Sequence, residues 1–322
     1  MGTRNVSANG RGIGYFTPGG VNFRLGDYLS YANSNCDPQP LYLFDPTFAR
    51  SAPELLSEYE PPIYFRDDLF SLLDEYDGGP RPDYRWLLIG GLRSGQSWHK
   101  DPNGTSAWNL TLRGRKRWLF FPPNVTPPGV MIKPGGGGND FITPISLEEW
   151  ARGFYAESRS TPGFLETETG EGDAMFVPRG WWHMVLNVRP ATIAISHHFL
   201  SPAGLANTIR VLRDTPHEVS GVDRGLAPWT SDGVPNPDAG ASEDHRRRAE
   251  AGRALHDRLI SALRARRPEA LDRAEEELKE RRRRDGRMAG AATKKKRSAL
   301  KALVGPGRSG KRQKAFAFNF AH

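Results

Sequence analysis

The sequence predicts a mainly β domain, closed as a barrel or jelly roll, with flanking helices and a C-terminal helical, basic extension. Three observations carry that expectation. From Val21 to about Phe199, short apolar runs alternate with Gly/Pro/Asp turns, the rhythm of antiparallel β-structure. Seven or more short strands at this spacing suit a closed sheet. Beyond about residue 240 the apolar period becomes helical and the charge turns basic.

The elements follow in order. Residues 1–20, rich in Gly, Asn and Arg, read as a flexible lead-in without the apolar stretch of a secretory signal. Helical periodicity opens the domain at Arg24–Ala32, where Leu25, Tyr28 and Leu29 share a face. Strands are expected at Pro40–Phe44, Tyr84–Leu92, Ala107–Leu112, Lys116–Phe121, Ala174–Val177, Met184–Val188 and Thr192–Phe199. Further helices are expected at Asp67–Asp74 and Ser146–Ala156, the second capped by Ser146 with Glu148 and Glu149 in its first turn. Thr126–Asp140, with its TPPG and PGGGGND, reads as an inserted loop. A short helix at Ala203–Leu212 closes a domain spanning 21–215, and a Pro/Gly/Asp-rich linker covers 216–240.

The helical extension occupies 241–285. Glu243–Arg267 places Leu255, Leu259 and Leu263 at i, i+4 and i+8, and Pro268 starts a second helix to about Arg284. Glu275 with Lys279, Glu277 with Arg281 and Glu280 with Arg284 form i, i+4 pairs along it. Residues 286–322 hold ten Lys and Arg and no acid, so they are expected to be a disordered basic tail.

Charge divides the chain. The 322 residues carry 45 Lys+Arg against 37 Asp+Glu, a net +8. Residues 241–322 hold 24 basic and 11 acidic groups, a balance of +13, which leaves 21 against 26, or −5, in residues 1–240. An acidic body with a basic appendage excludes a uniformly basic nucleic-acid-binding domain. A single cysteine, Cys36, excludes an internal disulfide and a thiolate zinc site, and it favours a reducing compartment. No apolar run approaches the length of a membrane span. A soluble intracellular protein is expected, without membrane partners. KKKR (Lys294–Arg297) and KRQK (Lys311–Lys314) suit a nuclear-import signal or an RNA-contacting arm, against the plainer reading of a solvated tail. Nuclear localisation is the expectation, cytoplasmic the fallback.

The sharpest chemical constellation is His99-Lys100-Asp101. In a strand, positions i and i+2 share a face, so an imidazole and a carboxylate can be presented together. A second imidazole would complete a 2-His-1-carboxylate set that leaves positions open on Fe(II). Spacing alone leaves His183, His197 and His198 open for that place. Lys116 shares strand parity with Trp118 and Phe120, so its ammonium can enter an apolar interior where an anionic ligand would pair with it. Tyr42, Asn109 and Ser196 read equally well as buried strand polars. Trp86 and Trp182 are expected to line the channel for a substrate side chain. Gly305–Lys311 imitates a phosphate-binding loop, but Arg312 stands where a magnesium-binding hydroxyl is needed and no strand–loop–helix context surrounds it. Gly95–His99 is a near miss to a nucleophile elbow, and its strand continues into the His-x-Asp pair.

Several segments carry a resemblance. RSGQSWHKDPNGTSAWNLTLRGRKRWLFFPP (Arg93–Pro123) and GDAMFVPRGWWHMVLNV (Gly172–Val188) resemble the two signature segments of the jumonji-C dioxygenases. PLYLFD, PPIYFRDDLF, YRWLLIGGLRSG and TIAISHHF agree in order, over about residues 21–215. The branch most similar is the bifunctional arginine demethylase and lysyl hydroxylase. The resemblance implies a double-stranded β-helix of the cupin type that binds iron through His99, Asp101 and His183 and uses 2-oxoglutarate and O₂. It implies that Lys116 pairs with the far carboxylate of 2-oxoglutarate and that Asn109, Tyr42 and Ser196 hydrogen-bond it, Ser196 standing where the branch has threonine. Gln96 and His198 depart from the branch's threonine and asparagine near the expected substrate pocket. The implied substrate is a protein lysine, hydroxylated, on a basic nuclear or RNA-associated partner. The alternatives are a methyl-arginine, demethylated by the same site, a catalytically silent module that binds RNA or chromatin, and a cupin-type small-molecule enzyme with another metal. In that branch the helices after the barrel pair into a homodimer, a role expected here of 243–284.

Overall fold

Two antiparallel sheets enclose the space in which the site lies. The structure is a computed structural model that describes residues 5–9, 21–38, 40–46, 48–74, 81–133, 141–144, 146–222 and 241–303. Thirteen strands occur among them. The first six are β1 (Asn5–Asn9), β2 (Val21–Arg24), β3 (Tyr42–Asp45), β4 (Arg85–Gly90), β5 (Gly95–His99) and β6 (Ser106–Arg113). They continue as β7 (Lys116–Phe121), β8 (Met131–Ile132), β9 (Phe141–Ile142), β10 (Leu165–Thr169), β11 (Ala174–Val177), β12 (Trp182–Asn187) and β13 (Thr192–Phe199). The larger sheet has the order β11-β6-β13-β4-β3-β1-β2, the smaller β10-β7-β12-β5, and β8 pairs with β9. All pairings are antiparallel, as a jelly-roll barrel requires.

Period-two alternation decides which side chains reach the interior. Trp118 and Phe120 of β7 point inward with Ala107, Val177 and Val185. Leu119 and Phe121 point outward and pack with Trp98, Trp150, Trp182 and Met184 beneath helix α3 (Leu147–Ser160). Ser146 caps α3 as expected, its side chain accepting from the Glu149 amide. Across the larger sheet, helix α1 (Leu25–Ser34) sets Tyr28 onto Leu43 and Ile89. Leu29, expected on the same buried face, is 38% exposed, and Tyr28 is the fully buried contact.

Several expectations are corrected. Asn5–Asn9, placed in the flexible lead-in, pairs with both β2 and β3. Asp67–Asp74 contains a 3-10 turn, Leu69–Leu73, capped by the Asp68 side chain. Leu165–Thr169 was not expected as a strand because LETET is polar. It is an edge strand whose Glu166 and Glu168 pair with Arg117 on β7. The expected loop Thr126–Asp140 contains β8, and its residues 134–140 lie outside the described set.

Beyond the barrel come α4 (Leu205–Asp214), α5 (Ala241–Arg266) and α6 (Pro268–Leu303); α2 is the single turn Phe48–Ser51. Residues 1–274 form one compact unit and 275–322 another. The expected boundary near 240 is therefore displaced: Leu255, Leu259 and Leu263 are fully buried, and α5 packs on α4 and on the turn Pro216–Glu218. Gly252 makes that approach feasible, since a Cβ there would collide with the Pro216 carbonyl. The apolar stripe expected to form a dimer thus faces its own chain. Pro268 restarts the helix as expected, but α6 continues past Arg284 into residues expected to be disordered. The Ala- and Lys-rich run after Gly286 favours helix, which explains the extension. Residues 223–240 and 304–322, parts of the expected linker and tail, lie outside the described set.

Candidate metal centre

His99 ends β5, and its register partner across the ladder is His183 of β12. Their rings face each other with centroids 4.0 Å apart. Each Nδ1 lies against the backbone carbonyl two residues earlier, His99 on Ser97 at 2.7 Å and His183 on Trp181 at 3.2 Å. A carbonyl can only accept, so Nδ1 carries the hydrogen in both rings and each Nε2 keeps its lone pair for a metal. Asp101 follows β5, and one ligand atom from each of His99, Asp101 and His183 lies within 4.8 Å of the others. His183, left open against His197 and His198 by spacing alone, is the imidazole in this cluster. His197 is directed away, against Trp108 and the Tyr59 hydroxyl.

Electrostatics suit metal ligation. Burial pushes His99 down to about 3, with His183 adding to the effect, and burial lowers His183 as well. Both are neutral imidazoles at physiological pH, the form that binds a cation. Burial would raise the Asp101 carboxyl, but the imidazoles of His198 and His183 outweigh it and hold it below the usual carboxylate range. Asp101 Oδ1 lies 3.1 Å from His198 Nε2, while Oδ2 is buried without a partner. An unpaired buried carboxylate oxygen is costly unless something cationic completes it.

Lys116 stands on β7 and reaches across the barrel to the opposite sheet. Its Nζ donates to Tyr42 Oη at 3.1 Å and to Asn109 Oδ1 at 3.3 Å. It is almost fully buried, and among the described residues no carboxylate pairs with it, so burial lowers it to about 7. Gly90 permits this arrangement, because a Cβ there would strike the Tyr42 ring. Asn109, Ser196 and Trp86 occupy one row across three strands, since Ser196 is register partner to both of the others. Ser196 Oγ donates to the Trp108 carbonyl at 3.2 Å. A buried amine facing only neutral acceptors is a place for an anionic ligand.

A cavity of about 110 Å³ lies between the imidazole–carboxylate cluster and the Asn109–Ser196 row. His99, Asp101, His183, Asn109, Ser196, Gln96, Trp86 and His198 all line it. Gln96 reaches the interior through a β-bulge: β12 residues 183 and 185 oppose β5 residues 99 and 96, which shifts the alternation by one. Trp182 is not a wall. It follows the opposite parity to His183 and lies in the outer core, with Phe141 at a 4.7 Å centroid distance. Its neighbour Lys100 sits 4.5 Å over its ring.

The structure adds residues that sequence reasoning passed over. Phe44 and Trp118 contribute aromatic wall. Asn103, in the left-handed conformation (φ 59°), exchanges two hydrogen bonds with the Ser220 backbone, 2.9 and 3.0 Å, and so ties the segment after α4 to the turn behind Asp101. Ser220 lines the cavity as a result. The Asp-Pro-Asn-Gly turn was legible in sequence, but its long-range partner was not.

Comparison with known proteins fits this geometry. The cupin-like domain model matches residues 12–203. The arginine-specific demethylase JMJ22 of Arabidopsis thaliana is 44% identical over 62% of this chain and 38% of its own length. The bifunctional arginine demethylase and lysyl-hydroxylase psr-1 of Caenorhabditis elegans is 38% identical over 58% of this chain and 46% of its own. The 2-oxoglutarate and iron-dependent oxygenase JMJD4 of Danio rerio is 33% identical over 62% and 45%. The chain therefore spans less than half the length of each of these relatives.

Proposed function

We propose that this chain, which belongs to the cupin-like domain family, is an Fe(II)- and 2-oxoglutarate-dependent protein oxygenase. The observation that carries the proposal is one cavity lined by two neutral imidazoles and a carboxylate with an open oxygen, with the buried Lys116 amine, which has no acid partner among the described residues, bonded to the lining residue Asn109. His99 Nε2, His183 Nε2 and Asp101 would hold the iron and leave positions free for co-substrate and O₂. Lys116, with Tyr42, Asn109 and Ser196, would receive the far carboxylate of 2-oxoglutarate. With both bound, the metal supplies an oxidant able to hydroxylate an unactivated C–H bond.

The chain's own residues orient and shield. Lys116 neutralises the ligand's charge in a site where water no longer screens it. The Nδ1 bonds to Ser97 and Trp181 fix both imidazole tautomers, so the iron meets lone pairs and not N–H groups. Trp86, Phe44 and Trp118 keep the cavity apolar and direct a substrate side chain towards the metal.

The reaction we favour is lysyl hydroxylation of basic nuclear or RNA-associated proteins. Residues 1–240, at −5, would attract such partners. A second reading, N-methyl-arginine demethylation, is supported by the name of the JMJ22 relative. Hydroxylation of an N-methyl group gives a hemiaminal that releases formaldehyde, so one site serves either outcome. The test supplies protein purified without oxygen with Fe(II), 2-oxoglutarate, O₂ and nuclear-extract peptides, then follows succinate and +16 mass shifts on lysine. Neither product above a His99→Ala control would defeat the oxygenase reading. Formaldehyde from methyl-arginine peptides without a lysine shift would select demethylation. The basic tail is assigned to nuclear import, and unchanged nuclear accumulation after deletion of 286–322 would remove that assignment.

A further inference from the structure

We infer that His198 is a positioning residue for Asp101, fixing the rotation of its carboxylate beside His99 and His183. The inference rests on the reading of His99, Asp101 and His183 as metal ligands. A carboxylate has two equivalent oxygens and can bind a cation through either or through both; a donor fixed on one of them removes that freedom. Here Oδ1 is 3.1 Å from His198 Nε2 and 3.6 Å from His183 Nε2, and Oδ2 is buried and unpartnered. Asp101 lies beyond the end of β5 with Pro102 after it, so no ladder partner steadies its backbone from behind. Among the described residues, His198 is the donor within hydrogen-bond distance of this side chain; His183 Nε2, at 3.6 Å, is too far.

His198 is itself immobilised. It belongs to β13, its backbone amide donates to the Tyr84 carbonyl at 2.7 Å, and its ring packs on Trp86 at a 4.4 Å centroid distance. It stands outside the set whose donor atoms are mutually within 4.8 Å, so it serves the carboxylate and not the metal. An imidazole has the reach to meet the carboxylate and still fill the space over Trp86. Histidine here couples the metal ligand to the aromatic wall of the substrate cavity.

The test measures Co(II) binding by equilibrium dialysis in the full chain, without oxygen or 2-oxoglutarate, for wild type, His198→Phe, His198→Gln and His99→Ala. His198→Phe keeps a ring but has no donor, and should weaken Co(II) binding about 10–100-fold. His198→Gln restores an N–H with similar reach and should recover most of that loss. X-ray absorption of the wild-type Co(II) protein should count two imidazoles. Equal affinity for wild type and His198→Phe, or no recovery in His198→Gln, overturns the inference, as does a third imidazole on the metal. His198→Leu replaces His198→Phe if apo-protein melting shows the latter unfolded. If His99→Ala also binds Co(II) like wild type, the metal-site reading itself fails; if it alone loses binding, only the role of His198 does.

Discussion

His99 and His183 are register partners in the β5–β12 ladder, so the two imidazoles that meet at the centre are held by paired strands. Strand-borne ligands are placed more rigidly than loop-borne ones. Asp101, two residues beyond the ladder, is the proposed ligand whose position depends on side-chain contacts. The bulge that follows His183 on this ladder turns Gln96 inward, so the irregularity adds a pocket wall beside the histidine pair.

Removing any one of the three donors should abolish tight metal binding. For His99→Ala, Asp101→Ala and His183→Ala, dialysis against Mn(II) or Co(II) should show at least about 100-fold weaker binding than wild type. Circular dichroism should stay native, because β5 and β12 pair through backbone groups that these substitutions leave intact. Wild-type affinity in any of the three would remove that residue from the ligand set.

Lys116 gives effects of opposite sign on stability and on ligand binding. It is a buried amine with neutral partners and, among the described residues, no counter-charge. Lys116→Met keeps the length and removes the desolvation penalty, so the ligand-free protein should melt no lower than wild type. The apparent affinity for 2-oxoglutarate should fall by more than about 10-fold, since a charge-assisted contact in a dry site is lost. A proton signature accompanies this. Burial lowers the amine to about 7, so at pH 8 it is largely neutral, and a bound carboxylate would draw a proton onto it. Calorimetry at pH 8 in buffers of different ionisation heat should register net proton uptake in wild type and none in the variant.

The two tryptophans expected to line a substrate channel separate by parity. Trp86 lines the cavity beside His198, whereas Trp182 is packed outside with Trp98 and Trp150. Trp86→Leu should change KM for the protein substrate while the fold holds. Trp182→Ala should cost about 3–5 kcal/mol of stability, measured by denaturant unfolding, with KM nearly unchanged in whatever protein folds. A KM change in Trp182→Ala as large as in Trp86→Leu would refute the assignment of faces.

That pair also shows what was readable from the residues and what was not. The seven strands with strong apolar alternation and the Ser146 cap rest on local rules, and the structure follows them; the His-x-Asp pair does come together, although the strand expected to align it ends at His99. Trp182 was readable too, since neighbours on a strand face opposite sides and His183 takes the inner one. Strand β10 escaped because its stability comes from pairing with β7 and from Arg117, neither of which is visible in LETET. The Asn103–Ser220 tie joins residues 117 positions apart, and the closure of α5 onto its own domain depends on the lone Gly252. Long-range contacts of this kind leave no periodic trace.

Acid sensitivity follows from buried neutral histidines. Burial holds His197 down to about 3, with Arg85 and Arg81 adding positive charge nearby, and burial likewise holds His99 to about 3. A histidine depressed in the folded state stays unprotonated while the unfolded chain takes up a proton below about pH 6.5. Stability is therefore full above that pH and is lost as the pH falls towards 3, by about 1.4 kcal/mol per pH unit for each such group. Asp101, also depressed, adds its own loss only below the ordinary carboxylate range. Melting of metal-free protein between pH 7 and 4 should show this slope. His197→Phe keeps the ring against Trp108 and should flatten it, while losing the Tyr59 bond shifts the whole curve by a nearly constant amount. An unchanged slope would mean that His197 titrates normally.

Tyr28 tests how the larger sheet is held to its covering helix. Its hydroxyl accepts from the Leu43 amide at 3.1 Å and donates towards the Ile89 carbonyl at 2.6 Å and the Leu41 carbonyl at 3.1 Å. One oxygen thus closes the backbone of β3 and β4 next to the pair of Gly90 and Tyr42, the second of which accepts from Lys116. Tyr28→Phe keeps the ring in its apolar seat but strands a buried amide, at a cost of about 1–3 kcal/mol. Because β3 carries Tyr42, the same change should loosen the floor of the 2-oxoglutarate site. Hydrogen exchange should then accelerate at Leu43 and Ile89, and 2-oxoglutarate affinity should fall several-fold while Co(II) affinity, set on β5 and β12, stays at the wild-type value. Equal losses of both ligands would mean that Tyr28 acts on the whole barrel and not on β3.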